Sequence, residues 1–341
     1  MFEGLRALFL CSNNSYIALF IISLSNTSNL KIRLLFAVKI LAAIFVSLIV
    51  LLRLEIIGSP MQNMSFRYSD KQIIKQFINS GQKPQLKYHA FNDRTIRYLV
   101  RKNRPGLPTV VFIHGAPGSL SDYSRYFGNE ALFAKANLIS VDRLGYGYPG
   151  FGKSETSIRL QGKAIHSIIR NECENSEIIL VGHSYGGPVA IQMAMDFGDG
   201  YKAVILLAPA LDPGHEKKIM LARLPAYQPI RWLTPPALRV AADEKNTHVA
   251  ELKKMLGRYD LIKIPVCHIH GTSDSLVPYE NVAFSRRTIS PKWLETISLE
   301  NVDHFLPWSH YDLVVDKILE IASGHGLSSE QVGNGNFSYT N

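Results

Sequence analysis

Short apolar runs alternate with helical stretches between residues 109 and 322, and this alternation constrains the fold more than any other feature of the sequence. Each run is brief and almost continuously hydrophobic, which is typical of strands that are buried on both faces. Strands that alternate with helices predict an α/β fold with a mostly parallel sheet. The runs lie at 109–115, 138–142, 177–182, 203–209 and 266–271, and the helical stretches at 121–135, 157–171, 187–197 and 311–322.

Further elements flank this series. Residues 86–100 form two strand-like runs around Asn92-Asp93, which predicts a hairpin, and Leu294–Leu299 predicts a last strand. A short amphipathic helix is expected from Ser69 to Asn79. In a parallel sheet the ligand site lies beyond the carboxyl ends of the strands. The residues that directly follow each strand are therefore the candidates for a functional site.

The strand at 177–182 ends in Gly-His-Ser-Tyr-Gly-Gly, which matches the pattern G-x-S-x-G with Ser184 at its centre. A serine on a sharp turn between a strand and a helix requires small neighbours. Pro188 falls in the first turn of the next helix, where a missing N–H costs nothing. The pentapeptide alone is a weak signal, but its position between a strand and a helix predicts that Ser184 is a nucleophile.

A nucleophilic serine requires a base, and the base requires an acid that fixes its tautomer. His304 lies in a loop between the predicted last strand and the final helix, and Asp274 follows the strand at 266–271. We therefore predict a catalytic triad of Ser184, Asp274 and His304. Asp212, which follows the strand at 203–209, is the alternative acid, and His310 is an alternative base.

Five motifs in this order resemble the α/β-hydrolase superfamily over roughly residues 86 to 322. The resemblance implies an eight-stranded, mostly parallel sheet flanked by helices and a small helical lid at 211–264, here called the lid segment. It also implies an oxyanion hole formed by the backbone N–H groups of Ala116 and Tyr185. The motifs are HGAPG (114–118), DRLGYG (142–147), GHSYGG (182–187), HGTSD (270–274) and VDHF (302–305).

The resemblance implies a serine hydrolase that cleaves a carboxylic ester or a related acyl compound without a metal or a cofactor. HGAPG is also similar to a motif of prolyl aminopeptidases, and carbon–carbon bond hydrolases share the same triad, so both activities are alternatives. A non-catalytic ligand-binding module is a more remote one, since all three triad residues are present. Within the second motif, we expect Asp142 and Arg143 to form an ion pair.

The N-terminal region contains a long apolar run. Leu34–Leu52 has nineteen residues, and Lys39 is its only charge. At about 1.5 Å per residue a helix of this length spans roughly 28 Å, close to the hydrocarbon thickness of a bilayer. We therefore predict a single-pass membrane anchor at 34–52, with the lipid bilayer as a partner and the catalytic domain on the extracytoplasmic side.

The predicted domain organisation follows from these assignments. An N-terminal tail at 1–33 precedes the anchor, and a linker with a short helix at 53–85 follows it. The hydrolase core occupies 86–210 and 265–323 around the lid segment, and a flexible tail is predicted at 324–341. Although the net charge is +9, Lys and Arg are scattered, which argues against a nucleic-acid partner. The three cysteines show no metal-binding or disulfide spacing. Nothing in the sequence predicts an oligomeric state.

Overall fold

The structure is a computed structural model. It describes residues 30–53, 68–77, 83–147, 150–174, 176–217, 220–228 and 230–324. The chain divides into two compact units, Met1–Met61 and Gln62–Asn341. Most of the predicted tails, and residues 54–67 and 78–82 of the predicted linker, lie outside the described residues.

The first unit contains helix α1, Leu30–Arg53. Its described side chains are those of residues 34–47, and large apolar ones such as Leu34, Leu41 and Phe45 are exposed. No helix within the described residues combines the length and the apolar character that crossing a bilayer requires. The transmembrane prediction for 34–52 is therefore not supported, and the described side chains of α1 cover only part of that span.

The second unit contains an eight-stranded sheet in the order β1-β2-β4-β3-β5-β6-β7-β8. The pairs β1/β2 and β2/β4 are antiparallel and all others are parallel, so the predicted mostly parallel sheet is confirmed. The strands are β1 Gln85–Phe91, β2 Arg94–Arg101, β3 Thr109–Ile113, β4 Asn137–Val141, β5 Ile178–His183, β6 Ala203–Leu207, β7 Val266–Gly271 and β8 Leu294–Leu299.

The hairpin forms where the sequence predicts it. Phe91 pairs with Arg94 across the turn. Asn92 adopts a φ of 53°, a left-handed conformation that asparagine tolerates better than most residues.

Burial on both faces explains why the strands are almost continuously hydrophobic. Along β3, Val111 and Ile113 belong to the core on one face of the sheet, while Val110 and Phe112 belong to the core on the other face. Successive side chains of a strand point to opposite faces, so a strand between two cores needs an apolar residue at every position.

Helices cover both faces of the sheet. The predicted helix at 121–135 is divided in two, because α3 ends at Phe127 with Gly128 as its C-cap and the side chain of Asn129 caps α4. The short helix expected from Ser69 to Asn79 is α2, and its N-cap is Ser69, whose side chain accepts a hydrogen bond from the N–H of Gln72. The helices are α2 Asp70–Lys75, α3 Ser124–Phe127, α4 Glu130–Lys135, α5 Ile158–Glu172, α6 Gly186–Phe197, α7 Ile230–Leu233, α8 Pro236–Met255, α9 Glu280–Thr288, α10 Leu306–Ser309 and α11 Tyr311–Ala322.

Glu172, the last residue of α5, ties this helix to the hairpin. Its carboxylate accepts hydrogen bonds from Tyr98 Oη at 2.6 Å and Lys87 Nζ at 3.0 Å, and it forms an ion pair with Lys102 at 2.8 Å. Burial raises the pKa of Glu172, but the hydrogen bonds from Lys102, Tyr98 and Lys87 outweigh that effect and hold the pKa below its usual value.

The lid segment lies between β6 and β7 and is helical. It contains a 3₁₀ helix at Met220–Ala226, followed by α7 and the twenty-residue α8. The helix formers near 249–256 in the sequence belong to the C-terminal end of α8. The first half of α8 has a weak hydrophobic pattern because it buries polar residues such as Glu244.

Candidate active site

Ser184 occupies a strained turn between β5 and α6. Its φ is 53°, which is unfavourable for a residue other than glycine and typical of functional turns. A Cβ atom on Gly182 would lie 2.5 Å from the carbonyl oxygen of Gly186, and one on Gly186 would lie 2.2 Å from the carbonyl oxygen of Ile113. The two glycines of the pattern are therefore required by close backbone approach, as the sequence predicts.

The loop after β3 runs along this turn. A Cβ atom on Gly115 would lie 3.1 Å from the Cβ of Ser184. Ala116, the next residue, is half-buried, as is Ser184. Within the described residues no hydrogen bond uses the backbone N–H of Ala116 or of Tyr185. These two N–H groups remain available to a ligand atom, as an oxyanion hole requires.

Asp274 and His304 lie together beyond the ends of β7 and β8. Asp274 Oδ2 and His304 Nδ1 are 2.7 Å apart, and both side chains are buried. Because the carboxylate can only accept, Nδ1 carries the proton and Nε2 is left as an acceptor. Burial raises the pKa of Asp274, but hydrogen bonds from His270 and His304 outweigh it and hold the pKa well below its usual value.

Backbone contacts fix the two loops that carry this pair. Asp274 Oδ1 accepts hydrogen bonds from the N–H groups of Leu276 and Val277, each at 2.8 Å. A Cβ atom on Gly271 would lie 2.2 Å from the carbonyl oxygen of Val302, so only glycine lets the acid loop and the histidine loop approach this closely.

His183 links the nucleophile turn to the histidine loop. Its Nε2 donates to the carbonyl oxygen of His304 at 3.1 Å, and the two rings are 4.8 Å apart. Burial lowers the pKa of His183 to about 3, which keeps the ring neutral. The residue that precedes Ser184 therefore holds the backbone of His304. The structure joins Asp274 and His304 directly and links the loop of His304 to the turn of Ser184 through His183.

The alternative acid and base have other partners. Asp212 accepts hydrogen bonds from His215 Nδ1 at 2.8 Å and from the N–H of Gly214 at 2.7 Å, so its carboxylate organises the start of the lid segment. His310 directly precedes α11, and its Nδ1 lies 3.0 Å from Ser309 Oγ.

The predicted ion pair between Asp142 and Arg143 is wrong. Asp142 pairs with Arg97 at 2.7 Å, whereas Arg143 pairs with Glu244 of α8 at 2.5 Å. Both side chains of the second pair are fully buried. Adjacent residues at the end of a strand direct their side chains to opposite sides, so each finds a partner from a different element.

Arg143 also holds the loop that contains Ala116. Its guanidinium donates to the carbonyl oxygens of His114 at 2.9 Å and Gly115 at 2.8 Å. Its backbone N–H donates to His114 Nε2 at 2.9 Å, so the proton of that ring is on Nδ1. Through its ion pair with Glu244, Arg143 connects the lid segment to the loop that contains Ala116.

Two further buried histidines, His268 and His270, extend behind Asp274, and His270 belongs to the HGTSD motif. His270 Nε2 lies 3.1 Å from the carbonyl oxygen of Val277 and 3.4 Å from Asp274 Oδ2. Since both oxygens can only accept, this nitrogen carries the proton. His270 Nδ1 then accepts from His268 Nε2 at 3.0 Å, and Ser285 Oγ donates to His268 Nδ1 at 2.9 Å. The two histidines are two residues apart on β7, which places both rings on one face of the strand, and this spacing is the sequence feature that predicts their contact.

In the described ranges no cluster of three or more His, Cys, Asp or Glu side chains is placed to hold a metal ion. Cys173 and Cys267 are free thiols.

The chain matches the model of the alpha/beta hydrolase family over residues 110–317, which is more than half of its 341 residues. The chain belongs to this family. A 1-acylglycerol-3-phosphate O-acyltransferase from Arabidopsis thaliana is 30% identical over 123 residues, 34% of this chain and 28% of that protein. Alpha/beta hydrolase domain-containing protein 17B from Xenopus laevis is 23% identical over 202 residues, 57% of this chain and 61% of that protein.

The chain thus spans less than two thirds of the length of these curated relatives. Among solved structures, an alpha/beta hydrolase enzyme from a Medee basin deep-sea metagenome library aligns with a TM-score of 0.58 at 15% identity, covering 72% of this chain and 100% of that one. A membrane phospholipase A, a bacterial virulence factor, aligns with a TM-score of 0.54 at 16% identity, covering 84% and 98%. These likenesses show the fold, and the fold agrees with the family match.

Proposed function

We propose that the protein hydrolyses a carboxylic ester or a related acyl substrate through an acyl-enzyme on Ser184. The observation that carries the proposal is the buried 2.7 Å hydrogen bond between Asp274 and His304, in a loop that His183 bonds to the strained turn of Ser184. A base oriented by an acid beside a serine on such a turn is the arrangement that nucleophilic acyl transfer requires.

In the first step Ser184 Oγ forms a bond to the carbonyl carbon and His304 Nε2 takes the hydroxyl proton. The carbonyl oxygen becomes an oxyanion, which the N–H groups of Ala116 and Tyr185 stabilise. The bond to the leaving oxygen then breaks, and His304 returns the proton to that oxygen. The products of this step are the free alcohol and the acyl-enzyme.

In the second step water attacks the acyl carbon. His304 takes a proton from the water, and the bond to Ser184 Oγ breaks as His304 returns that proton to the serine. The carboxylic acid leaves and the enzyme is restored.

The proposal is tested by pre-steady-state kinetics with a chromogenic ester. We expect a burst of the alcohol product that corresponds to one acyl group per enzyme, followed by slower turnover. Peptide amides and carbon–carbon bond substrates are compared on the same enzyme. Preference for either of these over all esters, or turnover that persists unchanged in Ser184→Ala, would contradict the proposal.

A second candidate is transfer of the acyl group from the same intermediate to an alcohol. The observation in its favour is the 30% identity to the Arabidopsis O-acyltransferase over 123 residues. Adding an alcohol acceptor during turnover distinguishes acyl transfer from hydrolysis. With a millimolar acceptor, a transferase forms the new ester in place of free acid, whereas a hydrolase continues to form free acid.

The location of the protein is a separate proposal that rests on the apolar run at 34–52 and on the exposed apolar side chains of α1. We propose that α1 attaches the enzyme to a membrane and that the second unit lies on the extracytoplasmic side. The physical basis is the free energy gained when apolar surface leaves water.

A further inference from the structure

Four rings form a closed group around His304. The rings of His304 and His183 are 4.8 Å apart, those of His183 and Trp308 5.3 Å, those of Trp308 and Phe305 6.1 Å, and those of Phe305 and His304 5.9 Å. The two histidines are buried, but Phe305 is 52% exposed and Trp308 is 39% exposed. We call the two exposed rings the aromatic platform.

The aromatic platform is held in place by its own backbone and by the oxyanion side of the site. Trp308 Nε1 donates to the carbonyl oxygen of Asp122 at 3.0 Å, a few residues beyond the HGAPG motif. The N–H of Trp308 also donates to the carbonyl oxygen of Phe305 at 3.0 Å. The indole ring of α10 is therefore held against the 3₁₀ helix Leu120–Tyr123, which follows the loop that carries Ala116, and the fold keeps it partly exposed.

The chemistry of the reaction decides which part of a substrate lies against these rings. His304 must return its proton to the leaving oxygen, so that oxygen lies within hydrogen-bond reach of the imidazole. The carbonyl oxygen points instead to the N–H groups of Ala116 and Tyr185. The alcohol part of an ester therefore extends along the His304 side of the site, where Phe305 and Trp308 present apolar surface.

We propose that the aromatic platform is the subsite for the leaving group and that it selects esters whose alcohol part is aromatic or a long alkyl chain. This inference rests on the proposed ester hydrolysis. Offset and edge-to-face ring packing and the burial of apolar surface would supply the binding energy.

The test is a series of esters that share one acyl group and differ in the alcohol part, with methyl, octyl and naphthyl esters, measured on the full chain. Phe305→Ala should lower kcat/KM for the octyl and naphthyl esters roughly tenfold, and for the methyl ester much less. Phe305→Tyr, which keeps a ring, should restore the preference. Tyr88→Ala is the matched control, because Tyr88 is 45% exposed on β1 at the far edge of the sheet.

The hydrolysis of the acyl-enzyme distinguishes a leaving-group subsite from a purely structural role for Phe305. Hydrolysis of the acyl-enzyme takes place after the alcohol has left, so its rate constant should be the same in Phe305→Ala and in the wild type. A uniform loss over all three esters, a changed rate of acyl-enzyme hydrolysis, or ratios equal to those of the wild type would overturn the leaving-group subsite. Absence of any acyl-enzyme in the wild type would instead refute the proposed function.

Discussion

Replacement of Asp274 by asparagine gives the sharpest test of the acid–base pair, because the structure dictates how the new amide must be oriented. At the Oδ1 position the N–H groups of Leu276 and Val277 both donate, so this place accepts only an oxygen. The amide NH₂ must then take the Oδ2 position, where it faces His304 Nδ1 and His270 Nε2. His304 can satisfy the NH₂ only as an acceptor at Nδ1.

The consequence is a histidine with its proton on Nε2, which cannot take the proton of Ser184. Loss of the correct tautomer in a triad costs about 10⁴-fold in kcat, or roughly 5 kcal/mol of transition-state stabilisation. We expect a loss of ~10³ to 10⁴-fold in kcat for Asp274→Asn. The assay is steady-state ester hydrolysis, with circular dichroism as the check that the variant is folded.

Asp212→Asn is the matched control. Asp212 is buried, but its carboxylate binds His215 and Gly214 and not His304, so we expect its replacement to lower kcat far less than Asp274→Asn does. The reasoning is refuted if Asp274→Asn retains more than a tenth of the wild-type activity, or if Asp212→Asn shows the larger loss.

Three further predictions concern stability and location. Glu244→Gln leaves Arg143 as an unpaired buried charge and should lower the free energy of unfolding in urea by about 3–5 kcal/mol, whereas Asp93→Asn, which breaks an exposed ion pair, should leave the urea midpoint unchanged. Glu172 has a lowered pKa in the folded state, so the stability it contributes is present above its usual pKa and is lost as the pH falls through the folded value. The difference in unfolding free energy between the wild type and Glu172→Gln should therefore shrink below about pH 4.5. A difference that stays constant with pH would contradict this role of Glu172. The full chain should stay with membranes in high salt and carbonate if the apolar run at 34–52 attaches it, and release by salt alone would exclude apolar attachment.

Much of the sheet can be predicted from the sequence because its strands are buried on both faces. The runs at 110–113 and 203–207 are continuously apolar and have no polar position that would suggest another structure. The site residues follow from the same reasoning, since Ser184, Asp274 and His304 each come after a strand. The structure adds the hydrogen bond of Asp274 to His304, while the catalytic roles remain predictions.

Features that the sequence does not predict depend on contacts between residues that are far apart in the chain. Glu244 lies 101 residues after its partner Arg143, and no local pattern connects them. The same burial of polar groups hides the length of α8, whose hydrophobic periodicity is interrupted by Glu244 and His248. The hydrogen bond between His268 and His270 lies within β7, whose apolar neighbours indicate only a buried strand.

Covalent labelling with a fluorophosphonate probe, followed by peptide mass spectrometry, tests the central claim most directly. The probe reacts with a serine hydroxyl that an adjacent base activates. We predict that one phosphonyl group is attached at Ser184, and that Ser184→Ala and His304→Ala are not labelled although both remain folded. Labelling of another serine, or a Ser184→Ala protein that reacts at the rate of the wild type, would contradict the assignment of Ser184 as the nucleophile.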